Sequence, residues 1–119
     1  MSSQPEQLRE RTKAFALRVI RLYRSLPFKT ETHVLGKQLL RCGTSVAANY
    51  RAVCRARSKA EFIAKIGVVV EEADEAILWL ELMTESGIVS AAKTEALLKE
   101  ANELTAIFAA SQRTARNAA

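Results

Sequence analysis

Apolar residues recur along this chain at intervals of three and four, the spacing of one face of an α-helix. The pattern breaks in three places. The first run is Leu8, Phe15, Val19, Leu22 and Leu26. Ser3-Gln4-Pro5-Glu6 opens it as a capping box with proline in the first turn, and Pro27 closes it, because the residue before a proline avoids helical backbone. A helix over 4–26 follows. The second run begins around Thr30 to Thr32 and places Leu35, Leu39, Cys42, Val46, Tyr50 and Val53 on one side, predicting a helix over 31–57. Ser58-Lys59-Ala60-Glu61 is another capping box and starts a third helix over 59–86, whose stripe is Phe62, Ile66, Val69, Ala73, Ala76 or Ile77, and Leu80. Gly87 suits its C-cap. Ser90 is positioned to cap a fourth helix over 91–115, with Thr94, Leu97, Ala101, Leu104, Phe108 and Ser111 on its stripe. The terminal stretch Arg116-Asn117-Ala118-Ala119 is expected to fray.

Short connections favour antiparallel neighbours, and alternating three- and four-residue steps form the seam of left-handed packing. The expected architecture is all-α: an antiparallel up-down-up-down four-helix bundle, with residues 1–119 as a single domain. Composition agrees. The chain of 119 residues is 49% hydrophobic but only 6% aromatic, with four glycines and two prolines, which suits helices far better than sheets. Gly36 and Gly43 flank the core seam, where they would let another helix approach closely, at about 1 kcal/mol each relative to alanine.

No apolar run reaches the roughly 18 residues needed to cross a bilayer, and the polar start lacks a signal-peptide core. The expectation is a cytoplasmic protein with no membrane partner. Cys42 and Cys54 fit that setting. Twelve residues apart on one helix, they would lie about 18 Å apart at 1.5 Å per residue, whereas a disulfide needs less than about 7 Å between Cα atoms. Both read as reduced packing thiols.

Charge changes the picture more. The net charge is +5, and it is unevenly shared: residues 1–30 and 31–60 are each strongly basic, while 61–90 carry one base against seven acids. On a helical wheel Lys37, Arg41, Arg51 and Arg55 gather opposite the core, with the small Thr44 and Ala48 between them, as a line about 27 Å long. Arginine suits phosphate because its planar fork can donate two hydrogen bonds to one group. The line is therefore a candidate surface for RNA or DNA, assisted by Arg21 or Arg24 of the first helix. The competing reading is a solvated face, or one that meets acids on a neighbouring subunit. The scarcity of aromatic residues leaves little for base stacking.

The third helix has apolar residues on its far side: Val68, Trp79 and Leu82, with Leu78 close by. A contiguous exposed apolar patch marks an interface, so these four are the candidate oligomer contacts. The alternative is that Trp79 folds back over a groove of its own bundle.

Catalytic chemistry is absent from the sequence. A di-metal bundle needs Glu-x-x-His on two helices, and His33 is the one histidine. Glu72 and Glu75 lack an imidazole partner. Nothing places His33 near Ser45 or Cys42 as a base. Thr44 and Ser45 read as helix residues bonding back to their own carbonyls. There is no phosphate-binding loop or dinucleotide fingerprint. No catalytic residue, metal or cofactor is expected.

The stretches FALRVIRLYRSLP, LGKQLLRCGTSVAANYRAVCRARSKAEFIAKIGVVVEEADEAILWLELM and LLKEANELTAIFAAS together resemble the bacterial four-helix-bundle proteins encoded in intervening sequences of large-subunit ribosomal RNA genes. The resemblance runs from about Phe15 to Ser111. Its most specific part is Gly43-Thr44-Ser45-Val46-Ala47-Ala48-Asn49-Tyr50, followed by Glu61-Phe62 and Trp79-Leu80-Glu81-Leu82. Cys42 stands where the family usually has serine, and Ala52-Val53 replaces the usual Glu-Ala, leaving the second helix more purely basic. The resemblance implies a bundle that assembles into a ring, of five subunits. The chain is also similar to the accessory protein of diversity-generating retroelements, a basic ring that engages nucleic acid beside a reverse transcriptase. In such a ring, acidic helix three of one subunit could face basic helix two of the next. Residence in a ribosomal RNA gene does not make a product part of the ribosome, and the family carries no catalytic residues to transfer.

Overall fold

Local chemistry sets several helix ends in the computed structural model, which describes residues 3–118. The four helices are α1 (Gln4–Ser25), α2 (Thr30–Val53), α3 (Lys59–Glu85) and α4 (Ala91–Asn117). Ser3 is extended, and its Oγ accepts a hydrogen bond from the Glu6 N–H at 3.2 Å. Ser58 does the same for α3, accepting from the Glu61 N–H at 3.0 Å. Each bond satisfies one of the donors that a helix start leaves free. Ser90 occupies the N-cap of α4 but makes no side-chain cap bond. Gly87 follows α3 with φ +82°, a left-handed conformation that costs a residue with a Cβ about 1–2 kcal/mol.

Two ends differ from the sequence-based expectation by more than one residue. Helix α2 stops at Val53, four residues before the expected Arg57. Ser58 must be extended to cap α3, and a single residue cannot reverse the chain between antiparallel helices. Residues 54–58 make the turn instead, tightened by Arg55 N–H donating to Ala52 O and Ala56 N–H to Val53 O. Helix α4 continues through Asn117 rather than fraying at Arg116. It is held to the start of α3: Gln112 Nε2 donates to Ile63 O at 3.1 Å, and Lys59 Nζ donates to Ala118 O. Ala119, Met1 and Ser2 lie outside the described residues.

The helices form an all-α, antiparallel four-helix bundle measuring 50 × 27 × 19 Å. Helix α2 packs on α1 and α3, α4 packs on α3, and α1 meets α4 more lightly. The predicted stripes are the core: Phe15, Val19, Leu39, Val46, Ile66, Val69, Leu80, Leu104 and Phe108 are all buried. Tyr50 of α2 reaches across to Phe108 of α4, with ring centroids 5.1 Å apart. Leu26, Leu35 and Phe62 pack at the core edge.

The glycines expected at a close approach are there, on the α1 side of α2, and they are not equivalent. A Cβ at Gly43 would lie 2.8 Å from Val19 Cγ2 and 3.2 Å from Val19 Cβ. Val19 is fully buried, and its branched side chain has one favoured rotamer in a helix. At Gly36 the nearest atom is Leu26 Cδ1 at 2.9 Å, the far end of a half-buried flexible side chain.

The lighter α1–α4 edge is clasped by Arg11. Its Nε and Nη2 donate to the two carboxylate oxygens of Glu100 at 2.8 and 2.7 Å, and Nη2 also donates to Glu103 at 2.7 Å. The hydrogen bond from Arg11 holds the Glu100 carboxyl below its ordinary range, against the opposing effect of burial.

Gly43→Ala should lower unfolding stability by on the order of 1–3 kcal/mol through overpacking. Gly36→Ala should be near neutral, because Leu26 can turn away and alanine gains up to about 1 kcal/mol of helix propensity. Equal denaturant midpoints for the two variants would contradict this account. A lowered carboxyl pKa contributes stability above the unfolded value and loses it as pH falls through the folded one. Arg11→Met should therefore cost about 1 kcal/mol at neutral pH. Its urea midpoint should converge on that of the parent protein as the pH drops below about 4, the ordinary carboxylate range.

Candidate nucleic-acid interface

The outward face of α2 carries Lys37, Arg41, Ala48 and Arg51, all exposed. The hydroxyl of Thr44 donates back to Leu40 O at 2.7 Å and Arg41 O at 3.1 Å, as helix geometry invites. The stripe is not uniformly free. Arg41 spans to α3 of the same chain, with Nη1 3.2 Å from Glu72 Oε2 and Nη2 2.6 Å from Glu75 Oε2. Basic helix two thus meets acidic helix three at Arg41 within one chain, a contact distinct from the one expected between subunits. These carboxylates raise the pKa of the guanidinium, the Glu75 hydrogen bond most of all.

Arg55 does not continue the line, because α2 ends before it. It joins Arg51 and Arg9 around a shallow cleft of about 320 Å³ between the start of α1 and the end of α2, with Glu10 as the one acid on its rim. None of the three arginines enters an ion pair among the described residues. The antiparallel order brings further cations to this end of the bundle: Arg57 and Lys59 at the α2–α3 connection, and Arg113 and Arg116 near the end of α4. Glu61, the acid beside that connection, faces Lys65 at 3.3 Å. Arg9 was not among the residues singled out from sequence. Its signal was pairing rather than spacing: the start of one helix lies beside the end of its antiparallel neighbour.

Arg21 and Arg24 sit at the other end of the molecule. Arg21 lines a cleft of about 300 Å³ between α1 and α4 with Arg18 and Lys93. Arg24 lies beside Tyr23, Phe28 and His33 at the α1–α2 connection. The six expected residues therefore fall into three groups rather than one line: Arg51 with Arg55, Arg41 tied to α3, and Lys37, Arg21 and Arg24 toward the far end.

On α3, Val68, Leu78 and Leu82 are exposed to 41%, 47% and 41%. Trp79 is not part of that exposed set. It packs half-buried against the core, and its indole N–H is buried without a hydrogen-bond partner. The antiparallel register that sets Arg41 opposite Glu72 and Glu75 also sets the exposed Val34 of α2 level with Leu78 to Leu82.

Burial pushes the Cys42 thiol up to about 12, with Glu75 adding to the effect. Both cysteines are free thiols. His33 contacts Tyr23 and Phe28. Among the described residues no group of three or more His, Cys, Asp or Glu is placed to hold a metal ion, and no helix is long and apolar enough to cross a membrane.

An antiparallel four-helix bundle with a basic end and an exposed apolar strip on one helix is the class of protein this geometry defines. Within it, the chain belongs to the 23S rRNA-intervening sequence proteins, whose family model matches residues 6–110. It is similar to a crystallised protein of unknown function from the S23 ribosomal protein family of Bacteroides thetaiotaomicron VPI-5482. That likeness is at 29% identity and a TM-score of 0.85, covering 93% of this chain and 99% of that one. No curated protein matches the chain.

Proposed function

We propose that this protein is a non-enzymatic, self-associating cytoplasmic bundle that binds nucleic acid through its phosphates, RNA or DNA alike, at the end where α2 joins α3. The observation that carries the reading is the convergence of Arg9, Arg51 and Arg55 on one cleft with only Glu10 to offset them. Three guanidinium groups held together repel one another, and an entering phosphate relieves that repulsion while accepting forked hydrogen bonds. Lys37 is a further contact toward the far end of α2. Arg41 contributes less, because Glu72 and Glu75 already neutralise it. No cofactor is needed.

Self-association rests on a separate observation, the exposed Val68, Leu78 and Leu82 on α3. Such a strip loses water when a second copy covers it. The family resemblance implies a ring of five. A ring would repeat the basic cleft in each subunit, and the repeated contacts would raise the avidity of individually weak ones. If the oligomer forms and no nucleic acid binds, the protein is a scaffold whose basic and acidic faces serve assembly.

Binding should weaken steeply with salt, with a log–log slope of about −0.9 per phosphate contacted on duplex DNA. Arg51→Ala plus Arg55→Ala should keep the native oligomer mass, lose affinity and flatten that slope. A parent protein with no salt-dependent binding to single- or double-stranded nucleic acid would overturn the binding reading.

Leu78→Glu plus Leu82→Glu should produce smaller, folded species by light scattering, because each glutamate would desolvate on assembly. A parent protein that stays monomeric at high micromolar concentration would end the assembly reading.

A further inference from the structure

The α1–α2 connection carries a constellation that the phosphate reading does not use. Pro27 ends α1 and α2 starts at Thr30, leaving Phe28 on the intervening turn with 97% of its surface exposed. Its ring centroid lies 5.8 Å from that of His33, tilted by 41°. His33 is oriented from behind by Tyr23, whose Oη lies 3.3 Å from His33 Nδ1 and whose ring centroid is 6.3 Å away. The three rings, with Arg24 and Pro27, border a cleft of about 260 Å³. Arg24 lines it, Lys29 follows Phe28 in the chain and Lys37 lies one turn beyond His33 on α2, and none of the three forms an ion pair among the described residues. Glu31 is the nearby acid in sequence.

A single exposed apolar side chain needs no explanation. Here the phenylalanine instead stands at the open edge of a ring cluster whose histidine is already held in place, with Arg24 on the same cleft and Lys29 next to it in the chain. The cleft is smaller than the roughly 300–1,000 Å³ of a drug-sized pocket and suits one planar group. An apolar protein partner would use the rings and leave the cations unanswered. A nucleotide answers both, since any base has a π-face for the ring and its phosphate takes the guanidinium or ammonium. Bases inside a duplex are already stacked on each other, so only an unpaired nucleotide can present that face.

We infer that Phe28, backed by His33 and Tyr23 and flanked by Arg24 and Lys29, is a stacking platform for an unpaired base of single-stranded nucleic acid. The inference rests on the proposed nucleic-acid function and deepens it by naming the form of nucleic acid. The platform lies at the opposite end of α2 from Arg51 and Arg55, so the two sites can be disabled separately.

The test measures binding of the full chain to a fluorescein-labelled oligothymidylate of about 20 nucleotides, long enough for several sites of about 4–16 nucleotides. It is compared with an abasic strand bearing the same phosphates. The parent protein should bind the base-bearing strand more tightly, by roughly five- to a hundredfold, the range one stacked base supplies. Phe28→Ala should abolish that difference, and Phe28→Trp should restore it. Melting midpoint and oligomer mass should not move, because Phe28 is almost wholly exposed. Equal binding of both strands by the parent protein, or indifference to Phe28→Ala, overturns the platform. If the strands still bind and respond to Arg51→Ala plus Arg55→Ala, the phosphate reading survives alone. Absence of binding to any strand overturns both readings. A changed oligomer mass in Phe28→Ala would show that a second copy covers the ring, and would also overturn the platform.

Discussion

The contact on which the molecule turns is the approach of α2 to Val19. With no side chain at Gly43, the α2 backbone lies so close to α1 that a single methyl group would reach 2.8 Å from Val19 Cγ2. A fully buried, branched valine on one side and a bare backbone on the other leave little room to slide or separate. The two helices are antiparallel, so this central contact also sets what meets at their ends. At one end Arg9 of α1 comes beside Arg51 and Arg55. At the other, Tyr23 comes within hydrogen-bond distance of His33. Both candidate binding sites lie on the helix pair that meets at Gly43.

The ion pairs then decide which charges remain available. Arg11 ties α1 to Glu100 and Glu103 on α4, and Arg41 ties α2 to Glu72 and Glu75 on α3. The acids of α3 and α4 thus neutralise Arg41 and Arg11, while Arg9, Arg51 and Arg55 enter no ion pair among the described residues. A helix read by itself shows a stripe, whereas the packed molecule shows Arg41 neutralised in mid-helix and Arg9, Arg51 and Arg55 gathered at one end.

Helix starts were legible because their chemistry is local. Ser3 and Ser58 cap through a donor three residues away, and Gly87 takes the positive φ that its place after a helix suggests. The end of α2 was less legible for a related reason: the capping box at Ser58 says where α3 begins and is silent on how many residues the reversal needs. For Trp79 the sequence left two placements open, and the structure takes the second: the large side chain leans back over the core edge of its own bundle, a freedom the wheel does not represent. Phe28 was overlooked because it belongs to no stripe, and a search by helical period passes over a turn.

What the sequence by itself determined is the set of four helices, their apolar faces, the need for small residues beside the seam and the family to which the chain belongs. These depend on interactions spanning a few residues and on periodicities of three and four. The tertiary structure alone decided which charges are neutralised and which rings stand together. Arg41 is 31 residues from Glu72, and Arg11 is 89 from Glu100. Arg9 meets Arg51 only because two antiparallel helices are locked at Gly43. Attraction and repulsion between charges act over ångströms in space, and no local pattern encodes a distance that packing must first create.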